Sequence, residues 1–149
     1  MNTNNFTHIN SGIYQKDEIN LTDVLFSLKN HPKIEDAGSI LTFTGIVRKT
    51  SKEGKLIRNL KIDSYDELAN ASINKICKEI RELPGIIDVI IIHYKGSFKV
   101  KDDLVHVIIV SSHREEGFKA LRSAVERYKK EIAVWKKENF LNGTSEWVH

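Results

Sequence analysis

Two apolar, β-branched runs in the second half of the chain limit the possible folds more than any other feature. They cover residues 86–94 (IIDVIIIHY) and 104–111 (LVHVIIVS), and the turn-rich segment KGSFKVKDD joins them. Short runs that are rich in Ile and Val and bounded by turn residues are typical of strands buried within a sheet. We therefore predict two buried strands at this point of the chain.

Helical periodicity appears in three further segments. Residues 67–83 repeat their apolar side chains at three- and four-residue steps and end at Pro84-Gly85, and residues 115–131 show the same period. A shorter amphipathic helix is predicted over residues 21–30, with Asn20 or Thr22 as its cap. The positions predicted to be buried are Leu68, Ser72, Ile76, Ile80 and Leu83 in the first long helix and Phe118, Leu121, Val125, Tyr128 and Ile132 in the second.

The first half of the chain carries a second pair of predicted strands. Residues 39–48 (SILTFTGIVR) and 56–63 (LIRNLKID) flank the polar turn SKEGK, which predicts a hairpin with a mobile tip. One face of the second strand is expected to hold Leu56, Arg58, Leu60 and Ile62. Residues 1–5 are expected to form a flexible tail, and the C-terminal KKENFLNGTSEWVH to be irregular. Paired strands separated by two long helices predict a single α+β domain over residues 1–149, with an antiparallel-rich sheet and two main helices.

The composition excludes several classes of function. Lys and Arg number 23 against 20 Asp and Glu, and the resulting charge of +3 is too small for binding nucleic acid by bulk attraction. No apolar run approaches the roughly 20 residues of a membrane-spanning helix, and the N-terminus shows no signal-peptide pattern. The single cysteine, Cys77, excludes an intrachain disulfide and a cysteine-built zinc site. We expect a soluble, cytoplasmic protein with no nucleic-acid or membrane partner.

Metal and nucleotide motifs are absent from the sequence. The six histidines lack the spacing of metal ligands, and there is no HExxH, P-loop or GxGxxG. His93 and His106 lie within predicted strands, where a histidine is more often a hydrogen-bonded structural residue than a ligand. We therefore expect no metal and no cofactor.

One candidate anion site is the segment Ser111-Ser112-His113-Arg114. It lies where a buried strand is predicted to end and a helix to begin, and the N–H groups and dipole of a helix N-terminus attract anions. His113 and Arg114 would add hydrogen-bond donors there. The alternative is that Ser112 caps the helix and both side chains are merely solvated.

A second candidate site is formed by lysines around Trp135. Lys129 borders the predicted buried stripe of the second long helix, which makes it a candidate pocket residue. Lys136 follows seven residues later, or two helical turns if the helix persists, so both ammonium groups would face one cavity about 10 Å long. For Lys130 and Lys137, a solvated position near a helix C-terminus is the simpler interpretation.

The third candidate is FTGIVR at residues 43–48, a strand that contains a glycine and ends in an arginine. Glycine inside a strand often marks a bulge or the close approach of another backbone. Arginine suits bidentate recognition of phosphate or carboxylate. Taken alone, the pattern is a weak indication of a binding site.

Taken in order, FTGIVR at 43–48, SSHR at 111–114 and YKKEIAVWKKE at 128–138 resemble the large, catalytic subunit family of molybdopterin synthase. The resemblance covers residues 39–148, including the closing Trp147-Val148. It implies an α/β-hammerhead fold and a homodimer that binds a small ubiquitin-like sulfur-carrier subunit at each end, giving a heterotetramer. The implied reaction is a sulfurtransferase reaction, in which dithiolene sulfurs enter cyclic pyranopterin monophosphate from the thiocarboxylate of the carrier's C-terminal Gly-Gly.

The resemblance also implies roles for individual residues. Lys129 and Lys136 fall on the family's two important lysines and are implied as the catalytic pair. The residues implied for binding the pterin substrate are Ile46, Val47, Arg48, His113, Arg114, Lys129, Lys136, Lys137 and Glu138. The chain departs from the family pattern at Ala133, where members often have proline, and at Glu146, where they have a basic residue. Neither departure removes a reacting group.

Cys77 bears on the source of the sulfur. It lies beside the apolar stripe of a predicted helix and is therefore interpreted as a small core residue, not as a persulfide carrier. Sulfur then has to come from another protein, and an anionic thiocarboxylate favours a pocket of Arg and Lys.

Two alternatives from other classes stay open. One is a noncatalytic anion- or RNA-binding α+β module, against which the scarcity of aromatic residues for base stacking on the predicted strands weighs. The other is a structural dimerisation subunit whose strands pair across a symmetric interface.

Overall fold

A computed structural model describes residues 7–148, so the tail predicted at residues 1–5 lies outside the described residues. The helices are α1 (Leu21–Leu28), α2 (Asp66–Arg81) and α3 (Arg114–Glu131), and a 3-10 turn spans Ile34–Asp36. The strands are β1 (Gly12–Gln15), β2 (Ser39–Ile46), β3 (Ile57–Ser64), β4 (Ile86–Phe98), β5 (Asp103–Ser111), β6 (Val134–Phe140) and β7 (Ser145–Val148). Within residues 7–148, no helix is both long enough and apolar enough to cross a membrane.

The two apolar runs form the centre of one sheet, as predicted. β4 and β5 pair antiparallel from Ile86 opposite Ser111 to His93 opposite Val105. Both faces of these strands are buried over most of their length, which explains why their sequences are continuously apolar. β4 runs on through Phe98, so the turn between the strands is shorter than the sequence indicates.

The strand order of the sheet is β2-β5-β4-β3-β6-β7, and β1 adds to β4 in parallel. The other pairings are antiparallel. Together with the two main helices, α2 and α3, this confirms the α+β class and the antiparallel-rich sheet. Asn20 caps α1, since its side-chain oxygen accepts a hydrogen bond from the Asp23 N–H.

The predicted hairpin across SKEGK is wrong. β2 pairs with β5, whereas β3 pairs with β4 and β6. The backbones of the two segments are paired at an isolated bridge between Thr50 and Leu56. An apolar strand buries more surface against the apolar β5 than against the mixed sequence of β3, so the distant partner is preferred. A register shift after Ile57 also leaves Arg58 exposed, contrary to its predicted place on a face with Leu60.

The C-terminal segment is not irregular, which corrects a further prediction. It forms β6, which pairs with β3, and β7, which pairs with β6. Most β6 side chains are half-buried. Because several of them are polar, the segment lacks the hydrophobic alternation by which a strand is recognised in a sequence. Helix α3 stops at Glu131 because Ile132 adopts an extended conformation, so Lys136 lies on a strand and not two helical turns beyond Lys129.

The long helices occupy their predicted ranges to within two residues, and Ile76, Ile80, Tyr128 and Ile132 are buried as predicted. The rest of each buried face differs from the prediction. The buried residues are Ala69, Ile73, Ile76, Cys77 and Ile80 in α2 and Gly117, Ala120, Ala124 and Tyr128 in α3. Leu68, Leu83 and Phe118 are exposed instead. In α3 the small residues allow a close approach to the sheet, since a Cβ on Gly117 would lie 2.6 Å from Leu41 Cδ1.

Candidate active site

A cavity of about 550 Å³ opens where the end of β2, the start of β6 and the last turn of α3 meet. Apolar side chains of β2, β3 and β5 form much of its wall. The charged side chains that line it are Arg48, Lys52, Lys129, Lys136 and Glu138. Four cations thus face one carboxylate, which makes the cavity a site for anions.

Lys129 and Lys136 reach this cavity from different elements. Lys129 belongs to the last turn of α3, and Lys136 sits on β6 opposite Ile62 of β3 and Val148 of β7. Burial lowers the pKa of Lys136, and the nearby charge of Lys129 lowers it further. The structure therefore brings the two lysines together, although by a strand pairing and not by the helical spacing that the sequence suggested.

The end of β2 supplies Ile46, and the two residues that follow the strand supply Val47 and Arg48. A register shift follows Gly45, and a Cβ at that glycine would lie 2.9 Å from Val105 Cγ1. Beyond the shift, the Val47 N–H donates to a carbonyl of the β4–β5 turn, and the Val47 carbonyl accepts from the same turn. The bulge anticipated at this glycine is thus present, and it directs residues 46–48 along the cavity.

Glu138 is the only carboxylate among the cavity-lining residues within 7–148. Burial raises its pKa, as does the charge of Glu146, whereas the charges of Arg48 and Lys136 act in the opposite direction. Glu146 lies directly opposite Glu138 on β7. Glu146, which departs from the pattern that the family resemblance implies, therefore makes it easier for Glu138 to hold a proton.

His113 and Arg114 do not line this cavity within one chain. They stand at the first turn of α3, whereas Lys129 stands at its last turn, and 15 residues of helix span about 22 Å. Strand β2 confirms the separation, because its first residue lies beside Ser111 and its last beside Asp103. The expectation that Arg48 converges with His113 and Arg114 is therefore wrong for a single chain.

Lys137 also points away from the cavity. Successive side chains of a strand face opposite sides, so Lys137 lies across β6 from Lys136. Its Nζ sits 5.6 Å from the ring centre of Trp147, opposite it on β7. This cation–π contact accounts for Lys137 without a ligand.

Sequence reasoning missed His93 and Tyr128 as cavity residues and assigned both to structure alone. His93 is 1% exposed, and its Nδ1 lies 3.0 Å from the carbonyl oxygen of Tyr94. Burial and the charge of Lys136 lower its pKa to about 4, while burial raises the pKa of Tyr128 to about 12. The sequence feature that could have indicated His93 as a site residue is a polar ring within the otherwise apolar run of residues 86–94.

Cys77 lies on the buried face of α2 and does not line the cavity. Its thiol is 3.4 Å from the hydroxyl oxygen of Ser11, and burial raises its pKa. A thiol of this kind is a poor nucleophile at neutral pH. Within residues 7–148, no cluster of His, Cys, Asp and Glu is arranged to hold a metal ion.

Comparisons with known proteins identify the family of this chain. The family model described as MoaE protein matches residues 14–131. The molybdopterin synthase catalytic subunit of Thermoplasma volcanium is 31% identical over 91% of this chain and 94% of its own length. That of Culex quinquefasciatus is 35% identical over 76% of this chain and 73% of its own. The crystal structure of molybdopterin synthase from Staphylococcus aureus is 28% identical and superposes with a TM-score of 0.82, covering 95% of this chain and 99% of that one. The chain therefore belongs to the MoaE family, that of the molybdopterin synthase catalytic subunits.

Proposed function

We propose that this chain is the sulfurtransferase subunit that converts cyclic pyranopterin monophosphate to molybdopterin. The observation that carries the proposal is the convergence of Lys129, Lys136 and Arg48 on one cavity, in a chain of the MoaE family. A volume of about 550 Å³ suits a small heterocyclic substrate. The sulfur comes from the C-terminal thiocarboxylate of a small ubiquitin-like carrier subunit.

Both reactants are anions, and the cavity is lined to receive them. The precursor carries a phosphate and the carrier tail ends in a thiocarboxylate, whereas four of the five charged side chains at the cavity are cations. Hydrogen bonds from Lys and Arg to such anions are stronger than bonds between neutral groups. The cations also reduce the repulsion between the two reactants, so both can occupy one site.

The two lysines differ in their surroundings and therefore in their roles. Negative charge develops on the sulfur and the acyl oxygen as sulfur passes from the carrier to the pterin, and the Lys129 ammonium stabilises it. Lys136 is more deeply buried, and its lowered pKa allows it to give up a proton more readily than an ordinary lysine. Lys136 thus serves substrate binding and proton transfer.

The position of Cys77 supports an external source of sulfur. A sulfurtransferase that carries a persulfide needs an accessible thiolate, and Cys77 is 2% exposed with a raised pKa. Because it is the only cysteine of the chain, no other thiol can take this role. The carrier subunit therefore supplies the sulfur.

His113 and Arg114 fit this proposal only in an assembly of two chains. They lie about 22 Å along α3 from Lys129, which is too far for a small substrate to reach both ends. We propose a homodimer in which His113 and Arg114 of one copy bind the phosphate of the substrate in the cavity of the other. One carrier subunit for each copy then completes a heterotetramer.

The direct test is to incubate the purified chain with thiocarboxylated carrier and cyclic pyranopterin monophosphate and to measure the dithiolene product. Carrier in its ordinary carboxylate form is the control for sulfur transfer. The Lys129→Ala chain is the control for the cavity. Product from the complete mixture alone supports the proposal, and its absence with a folded, dimeric chain contradicts it.

A further inference from the structure

His93 is a polar side chain of the cavity to which neither the three basic motifs nor the proposed mechanism gives a role. His93 lies on β4, at the inner wall of the cavity, and is 1% exposed. Its Nδ1 lies 3.0 Å from the Tyr94 carbonyl oxygen, which can only accept a hydrogen bond. Nδ1 must therefore carry the proton, and Nε2 at the tip of the ring carries a lone pair.

Nε2 of His93 has no hydrogen-bond partner within residues 7–148. The ring itself is held in place, because it packs edge-on against Tyr128 with ring centres 5.9 Å apart and an interplanar angle of 72°. Tyr128 is packed in turn against Phe43. An acceptor with a fixed direction at the wall of a cavity and no protein partner is left for a ligand or water to complete.

His106, the other buried histidine of the sheet, provides a contrast. Its Nδ1 lies 2.8 Å from the Thr44 hydroxyl. Its Nε2 is enclosed by the protein, 3.6 Å from Asp103 Oδ2, without a hydrogen-bond partner. His106 does not line the cavity. Among the buried histidines within residues 7–148, only His93 combines an unpartnered nitrogen with access to a ligand site.

The cavity has many donors and few acceptors. Arg48, Lys52, Lys129 and Lys136 donate hydrogen bonds when charged and accept none. These side chains suit a phosphate, but they leave the N–H and O–H groups of a reduced pterin without partners. The burial of His93 and the charge of Lys136 keep its imidazole neutral at pH 7, because they lower its pKa to about 4.

We propose that His93 is a further substrate-binding residue, whose Nε2 accepts a hydrogen bond from an N–H or O–H group of the pterin precursor. The inference rests on the proposed function, since it assigns this group to the same substrate. His93 orients the heterocycle, while the cations of the cavity hold its anionic groups. The residue thereby favours ligands that combine a ring donor with a phosphate over phosphate alone.

Two substitutions distinguish the role of Nδ1 of His93 from that of Nε2. The amide N–H of His93→Asn keeps the donor to the Tyr94 carbonyl but removes the acceptor at the Nε2 position. The longer side chain of His93→Gln returns an oxygen acceptor near that position. His106→Asn is the matched control for replacing a buried strand histidine outside the cavity.

We expect His93→Asn to weaken precursor binding about five- to tenfold, the loss of one neutral hydrogen bond. Its inhibition by inorganic phosphate and its KM for the thiocarboxylated carrier should not change, because other residues make those contacts. His93→Gln should recover most of the affinity, and His106→Asn should bind precursor as the wild type does. A general structural defect in His93→Asn would instead move all three constants together, and that result would overturn the inference.

A measurement on the wild-type protein does not depend on the folding of any variant. In a chain labelled with 15N-histidine, precursor should shift the Nε2 resonance of His93 upfield, as acceptance of a hydrogen bond does, and leave that of His106 in place. Saturable precursor binding without this shift overturns the inference and leaves the proposed function intact. No precursor binding to the wild-type chain overturns the proposed function itself.

Discussion

Mixing two inactive variants tests whether the site is shared between two chains. One variant is Lys129→Ala, and the other is Arg114→Glu, which places a carboxylate where a phosphate should bind. Glutamate is compatible with the first turn of a helix, so Arg114→Glu should fold normally. The two positions are separated by 15 residues of α3, or about 22 Å.

The expected recovery follows from counting intact sites in a heterodimer of the two variants. If Arg114 serves the cavity of the other copy, one site combines Lys129 of the Arg114→Glu chain with Arg114 of the Lys129→Ala chain and is complete. The other site carries both substitutions. One complete site of two gives about half of the wild-type rate per dimer, and both variant homodimers have no complete site.

The assay uses chains with different affinity tags, co-expressed and purified through both tags, and measures dithiolene product at limiting precursor. A heterodimer of wild type and Lys129→Ala is the matched control, since it also contains one complete site and should show about half of the wild-type rate. If Arg114 acts within its own chain, both sites of the double-variant heterodimer are defective. Activity far below that of the control would therefore refute the shared site.

Four further outcomes follow from the structure. Lys129→Ala should lose nearly all product formation with an unchanged Tm, and wild-type turnover in a stable variant would contradict its role. Cys77→Ala should keep its sulfur transfer from thiocarboxylated carrier, whereas a folded but inactive variant would require a persulfide on this chain. Gly117→Ala should lower the free energy of unfolding by about 1–3 kcal/mol in a denaturant titration, because its Cβ would lie 2.6 Å from Leu41 Cδ1; unchanged stability would contradict this contact. The pKa of His93 is about 4 in the folded chain and 6.5 in the unfolded chain, so the unfolded chain binds a proton at the higher pH. Protonation of the unfolded chain should therefore lower the free energy of unfolding by up to about 3 kcal/mol as the pH falls from 6.5 to about 4. Unfolding curves of His93→Asn should lack this part of the pH dependence, and an identical dependence would refute it.

The parts of the fold that could be predicted from sequence are those whose signal is local and continuous. The apolar runs of β4 and β5 are buried on both faces, so no polar residue interrupts the pattern for long. The helices α2 and α3 are long enough for their period to be read, and Pro84-Gly85 marks the end of the first. These elements form the centre of the molecule.

Pairing partners and weakly apolar strands could not be predicted in the same way. The turn SKEGK favours a local hairpin, but β2 gains more by pairing with β5, some 60 residues further along the chain. The side chains of β6 are half-buried, so its polar residues give no alternating pattern. In α3 Phe118 of the expected stripe is exposed, whereas Gly117, Ala120 and Ala124 are buried, because small residues allow the closest approach to the sheet.

The sequence predicts which residues contribute to the candidate site, but it does not predict how they are arranged in space. Arg48, Lys129 and Lys136 lie in basic motifs whose order resembles a known family, and the structure brings these three together. The predicted range of α3 already places His113 before its first turn and Lys129 near its last, so their separation could be read from the sequence. The sequence does not indicate that Arg48 lies at the Lys129 end, because that depends on the pairing of β2 with β5. His93 was assigned to structure since a strand histidine has no local pattern that distinguishes a ligand from a core residue.

The end of α3 shows why Lys129 and Lys136 meet although Ala133 stands where the family resemblance implies a proline. A residue that precedes proline is held in an extended conformation, and a proline at position 133 would impose this on Ile132. In this chain Ile132 adopts that conformation with Ala133 after it, with a ψ of 133°. The Ala133 carbonyl accepts a hydrogen bond from the Tyr65 N–H, which ties the start of β6 to the end of β3. The pairing of β6 with β3 therefore holds the chain in an extended conformation after α3 without a proline. As a result, Lys136 faces the same cavity as Lys129.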